Sequence, residues 1–340
     1  VVEAPWFLPT LLGLPAISYL LGALIVRNLY GRALINLLER ENYSLILRSA
    51  GAFNFNDAAT LNYLKAKLED RSDTNAVIIT VSLLIEGMGK EAVPLLEPLI
   101  RDGEADLRLA VLDVLVDANV QGETVRRLYV DLLRDHDWRI RKRALLGLEH
   151  LASPTDEAFL EAAAALLDDE DVEIRAQVIP ALLRTSYENE ARAALARLVY
   201  HSDPALRSLG AAVLGRVNNP DYIEMLLTCM TDPVETVHLD AVMSLEMVVS
   251  RMEVPTGYVG MLSGRLRSLL KDHIVRTRLA CVRIAGRLEP RISTPILIAA
   301  LSDSSRTVRN SAVEALTRYG EPVLGALKPL TEAPDSNTRK

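Results

Sequence analysis

LLRDHDWRIRKRALLGL, residues 132–148, packs two aspartates, a histidine, a tryptophan and a run of basic residues into seventeen positions. Read alone it is a charged cluster that invites a binding or catalytic site. Read outward along the chain, its second half, IRKRALLGL, has relatives. VRNSAVEAL lies near the end, and LRLAVLDVL, IRAQVIPAL, LRSLGAAVL, VHLDAVMSL and TRLACVRIA lie between. Each is an aliphatic residue or threonine, then a basic residue, then a mostly apolar helical pattern, and internal repetition has to be settled before any motif is weighed.

The basic anchors are Arg108, Arg141, Arg175, Arg207, His238, Arg278 and Arg309, spaced by 33, 34, 32, 31, 40 and 31 residues. Six residues before them stand Asp102, Asp135, Asp169, His201, Asp232, Asp272 and Asp303. Three residues after them come Val111, Ala144, Val178, Gly210, Ala241, Cys281 and Ala312, all of small or modest size, as close helix packing requires. An apolar helical segment precedes each turn. The unit is a helix A, a short turn marked by aspartate, and a helix B. A weaker first copy, from residue 57 to 87, lacks the basic anchor, as a terminal repeat often does.

The recurring D-x-(D/S)-x-x-(V/I)-R-x-x-A pattern resembles that of HEAT-repeat proteins over residues 56–331. The resemblance implies an all-α fold, an α-solenoid of about eight antiparallel helix pairs plus a terminal helix. It also implies a ladder of ion pairs between adjacent repeats, built from Asp102, Asp135, Asp169, Asp232, Asp272 and Asp303 with Arg108, Arg141, Arg175, Arg207, Arg278 and Arg309. Where His201 replaces aspartate and His238 replaces arginine, pairing should be weakest, around residues 200–240. The turn aspartates also offer N-cap chemistry to helix B. The 40-residue interval places an insertion, read as a longer loop, near Ser250–Tyr258, and Pro180 should kink its helix B.

The first 27 residues are different material. Ala4 to Val26 carries no charge over 23 residues, Trp6 and Tyr30 flank the run, and Arg27, Arg32 and Arg40 follow it. That pattern is expected for a transmembrane helix with the remainder in the cytoplasm, so residues 4–26 are the expected membrane contact. Residues 28–55 read as a juxtamembrane helix and connector, and 332–340 as a disordered tail. This order of parts, together with AVPLLEPLIRDGEADLRLAVLDVL, resembles the end of bacterial ATP/ADP-translocase-like transporters of the major-facilitator type. Transport residues would then lie upstream of this chain.

Composition narrows the function. With a net charge of −7 and interspersed acids and bases, the chain lacks the basic footprint of a nucleic-acid binder. Hydrophobic residues make up 49% and aromatics only 5%, which favours packed helices over a β-sandwich. Cys229 and Cys281 are far apart and in no CxxC pattern. The five histidines form no HExxH or HxH motif, and GxGxxG, P-loop and GxSxG patterns are missing, so no catalytic, cofactor or metal residues are assigned. The expected function is a non-enzymatic scaffold that binds a protein partner through helix B. Trp138, Lys142, Arg143, Gln177 and Asp240 are its candidate partner-binding residues. The alternative is a soluble enzyme-associated array similar to the HEAT-like phycobilin lyases.

Overall fold

The computed structural model describes residues 58–329 except 72, 150, 152–154 and 218, and, apart from these, Tyr19. The expected transmembrane helix at 4–26 (Tyr19 excepted, which is helical), the juxtamembrane segment at 28–55 and the tail at 332–340 lie outside the described residues. Among the described residues no helix is long and apolar enough to cross a membrane.

Those residues form seventeen α-helices and no strand, in two compact units, residues 1–162 and 163–340. In the first unit the helices are α1 (Ala58–Glu69), α2 (Thr74–Met88), α3 (Val93–Asp102), α4 (Ala105–Asp117), α5 (Glu123–Leu132) and α6 (Trp138–Leu148). The unit boundary falls within α7 (Glu157–Ala165). The second unit continues with α8 (Val172–Leu182), α9 (Glu188–Val199), α10 (Pro204–Arg216), α11 (Ile223–Cys229) and α12 (Glu235–Arg251). It ends with α13 (Thr256–Leu269), α14 (Val275–Ala285), α15 (Pro290–Ala300), α16 (Arg306–Tyr319) and α17 (Glu321–Leu327).

From α1 to α16 odd helices are A and even helices are B. Each A packs on its own B in α1/α2, α3/α4 and α5/α6 of the first unit, and in α9/α10, α11/α12, α13/α14 and α15/α16 of the second. B helices also stack on one another: α2, α4 and α6 in the first unit, and α8, α10, α12, α14 and α16 in the second. The core between the layers is aliphatic. Val111, Ile140, Ala144, Ile174, Ala241, Cys281 and Ala312 have essentially no exposed surface. The residue three after the anchor is therefore a contact between layers, and its size sets how closely they approach. At Gly210 an added Cβ would stand 2.9 Å from the Val199 amide nitrogen and 3.1 Å from the Leu198 carbonyl carbon. No side chain fits there without moving backbone of α9.

The turns show why the aspartates and arginines recur. Asp135, Asp169, Asp232, Asp272 and Asp303 each accept a hydrogen bond from the backbone N–H two residues on, at 2.9, 2.9, 2.9, 2.7 and 2.7 Å. This is an Asx turn, which folds the corner before helix B begins. Capping itself falls to the next acid: Asp137, Asp171 and Asp203 accept from the first-turn amides of α6, α8 and α10. The expectation that the register aspartate is the cap is corrected by two residues. Its carboxylate already serves the corner, and its position is one turn too early to reach the N2 and N3 amides.

The anchor arginine does two things. With Nη1 it donates to the carbonyls six and five residues back: Asp135 and His136 for Arg141, Asp169 and Glu170 for Arg175, His201 and Ser202 for Arg207, Asp272 and His273 for Arg278, Asp303 and Ser304 for Arg309. With Nε and Nη2 it reaches the aspartate of the following repeat. Arg207 bonds Asp232 at 2.6 and 2.9 Å, and Arg278 bonds Asp303 at 2.7 and 2.9 Å. Arg108 pairs with Asp135 and, unlike the others, sends Nε to the Ile100 carbonyl at 2.6 Å. His238 holds Asp272 through Nε2 at 3.0 Å. Asp102 is exposed and has no ion pair among the described residues, because the repeat before it carries no anchor.

One local expectation changes. The extra residues of the 40-residue interval do not form a long loop. They lengthen α12 to 17 residues, leaving only 252–255 before α13. Pro180 lies inside α8, as expected, and the helix runs two residues further to Leu182, after which Arg184 takes φ +76°. Proline at this position has no N–H for the Ala176 carbonyl, one turn before the helix ends.

Gly210→Leu should lower unfolding free energy by about 1–3 kcal/mol through overpacking, read from the denaturant midpoint. Asp303→Ala, which strands the buried Arg278 guanidinium, should cost about 3–5 kcal/mol by the same measurement. Acid tests the ladder as a whole. The hydrogen-bonding guanidiniums of Arg207 and Arg278 hold the Asp232 and Asp303 carboxyls below their ordinary range. A carboxyl depressed in the folded state stabilises it above the unfolded value of about 3.9, and that stabilisation is lost as pH falls through the folded value. The melting temperature should therefore hold steady with respect to these two groups above about pH 5 and fall below about pH 4. Asp303→Asn should remove part of the acid-dependent fall.

Candidate functional site

Helix B was expected to present its partner surface one or two residues after the anchor. The structure places those side chains differently. Arg143 is only 21% exposed and is held by α4, with its guanidinium on the Asp113 carboxylate at 2.6 Å, on Asp117 and on the Asp113 carbonyl. Asp240 accepts a hydrogen bond from Ser208 of α10. Gln177 is half-buried on α8. Trp138 is 42% exposed at the first position of α6, with the Lys142 ammonium 5.8 Å from its ring centroid. Positions shortly after the anchor thus face the neighbouring B helix. In the first unit Trp138, Lys142 and Arg143 share α6, while Gln177 and Asp240 belong to the second unit.

The open surface of the B layer lies further along each helix, five and nine residues after the anchor. In the second unit those positions are Met243 and Met247 on α12, Arg283 on α14 and Arg287 in the turn just after it, and Glu314 and Arg318 on α16. Together they line a groove of about 560 Å³. Its floor is close-packed: a Cβ at Gly286 would stand 2.9 Å from the Ala315 Cβ. Met247 is 40% exposed. Glu246 pairs with Arg283 at 3.3 Å and Glu314 with Arg318 at 3.4 Å, while Arg287 is exposed and has no ion pair among the described residues. The groove is therefore two flexible thioethers in a basic rim. Methionine surfaces adapt to varied apolar partners, and an unpaired arginine favours an acidic neighbour.

Superposing the repeats by sequence could have found this groove, because α12 alone carries methionine at both positions, five and nine after the anchor. The signal is weak: the same positions on α4 are Asp113 and Asp117, which are tied up by Arg143.

Burial pushes the Cys229 thiol up to about 11 and the Cys281 thiol up to about 12. Among the described residues no group of three or more His, Cys, Asp or Glu side chains could hold a metal ion.

The family comparison agrees with the repeat architecture. Residues 160–246 and 264–340 match the family described as HEAT repeats. The fold is the all-helical fold of HEAT repeats. Among solved structures the chain is similar to an engineered protein from a structural genomics programme, at 16% identity over 75% of this chain and 94% of that one, TM-score 0.33. It is also similar to the YibA protein of Escherichia coli, at 15% identity over 79% of this chain and 94% of that one, TM-score 0.47. No curated protein matches the sequence.

Both cysteines should resist a soluble thiol reagent at neutral pH in the native protein and react fully once denatured. Reaction of either at the rate of a free thiol under native conditions would contradict their burial.

Proposed function

We propose that this chain is a non-enzymatic interaction scaffold whose groove on α12, α14 and α16 receives a partner's helix with an apolar face and an acidic flank. The observation that carries the reading is the pairing of exposed Met247 with Arg287, which has no ion pair among the described residues. An apolar helix face can bury against the methionines while its carboxylate meets the guanidinium, the helix-in-groove mode of recognition. HEAT repeats suit the task, because a stack of helix pairs offers a long continuous surface. The partner-binding role first assigned to Arg143, Gln177 and Asp240 thereby passes to the rows five and nine after the anchor, and Trp138 with Lys142 remains as a secondary contact.

In this reading residues 4–26 hold the scaffold at a membrane with the repeats on the cytoplasmic side, as in the transporters whose C-terminal end the sequence resembles. The support is the 23-residue uncharged run and the arginines that follow it.

A photoreactive residue at position 247 should crosslink one defined protein. Arg287→Glu should weaken that complex at least about tenfold, roughly 1.4 kcal/mol, without changing the melting temperature. Unchanged affinity would remove the groove from the reading. Membrane fractionation tests the anchor separately: the chain should sediment with membranes and deletion of residues 4–26 should release it.

A further inference from the structure

The ladder has a missing rung, and we propose that a partner's carboxylate fills it. At each complete arginine rung described above, the anchor's Nη1 staples its own turn and its Nε or Nη2 takes an aspartate of the next repeat. Arg175 does only the first. Its Nη1 bonds the Asp169 carbonyl at 2.5 Å and the Glu170 carbonyl at 3.2 Å, and its Nε and Nη2 have no partner among the described residues. The residue 26 positions on, where the ladder aspartate belongs, is His201.

His201 keeps one half of the aspartate's work. Its Nδ1 accepts from the Asp203 N–H at 3.0 Å, the same turn bond that the ladder aspartates make through Oδ1. The imidazole therefore occupies the aspartate's place in the corner. It cannot do the other half. A ring whose Nδ1 accepts carries its hydrogen on Nε2, so it offers Arg175 a donor where aspartate would offer a second acceptor. The Nε and Nη2 donors of Arg175 are left without a carboxylate among the described residues.

The nearby acids are committed elsewhere: Asp168 pairs with Arg197 at 3.1 Å, and Asp203 caps α10 through the Ala205 N–H. Arg175 is half-buried and His201 is exposed, so the gap opens to solvent. Beside it Tyr200 is 61% exposed. The guanidinium fork fits a planar carboxylate, as its sisters at Arg207 and Arg278 show with Asp232 and Asp303. A single exposed ion pair contributes little by itself. Exposed Tyr200, the residue before His201, would give a peptide an apolar second contact that a free small carboxylate lacks. The ligand class is thus an aspartate or glutamate side chain flanked by an apolar residue, on a partner protein. This edge is separate from the groove on α12, α14 and α16.

The probe is a fluorescein-labelled peptide of alternating Glu and Phe, titrated against the full chain by anisotropy. Wild type should bind saturably. His201→Asn keeps one acceptor and one donor and should bind as wild type. His201→Asp supplies the missing carboxylate from within, so it should lose affinity at least about tenfold while its melting temperature rises. Arg175→Gln should lose affinity to the same degree, which covers the case in which His201→Asp is poorly folded. Arg287→Glu should bind as wild type, so failure of the groove reading and of this one are distinguishable. No saturable binding by wild type, or wild-type affinity retained by both His201→Asp and Arg175→Gln, overturns the proposal. Displacement of the peptide by an equal concentration of acetate or inorganic phosphate overturns the partner as the source of the carboxylate.

Discussion

One side chain sets the construction of this protein: the arginine at the start of helix B. A corner between two helices leaves backbone carbonyls exposed to the next repeat, and carbonyls buried without donors are costly. A guanidinium answers that with five donors in a rigid plane. One edge satisfies two carbonyls of its own turn and the other meets the carboxylate of the following repeat. Histidine at position 238 keeps only the second function, and lysine could not supply both edges at fixed geometry. The aspartate is equally divided, one oxygen folding its own corner and the carboxylate as a whole closing the rung behind it. Local turn structure and inter-repeat packing are thus the same set of bonds, which is why the register is so regular.

Close layer packing is the second constraint, and it depends on the first. Once the rungs fix the rise from one repeat to the next, the residue three after the anchor has little room. Gly210 and Ala241 stand where α10 and α12 are buried, and Gly286 lets α14 approach α16 closely enough to form the floor of a groove. Specific features then arise where the repeat is broken. Loss of the aspartate at 201 leaves a guanidinium without a carboxylate. Met243 and Met247 stand beside an Arg287 that has no ion pair among the described residues, on the B face of the second unit.

Much of this was legible in the residues. The anchors, the aspartates six before them and the small residues three after them gave the helix-pair order. The charged cluster at 132–148 resolved into register marks with a particular remainder. The division of labour at the corner was not legible, because Asp135 and Asp137 are both capping residues by type. Only the path of the backbone decides which carboxylate meets which amide. Arg143 looked like a free surface charge for the same reason: its partners Asp113 and Asp117 are 30 and 26 residues away, and nothing local marks them. The insertion near residue 250 read as a loop because its length was visible and its continuation of the α12 helix was not.

The sequence by itself determined the repeat, the all-helical class, the positions that must be small and the positions that carry the ladder, because these are periodic and periodicity survives in one dimension. The tertiary structure alone decided which charges are consumed by neighbours and which stay open. Every B helix offers similar arginines and acids, and whether one is a rung, a clasp or a free binding group depends on what the next helix places within about 3 Å of it.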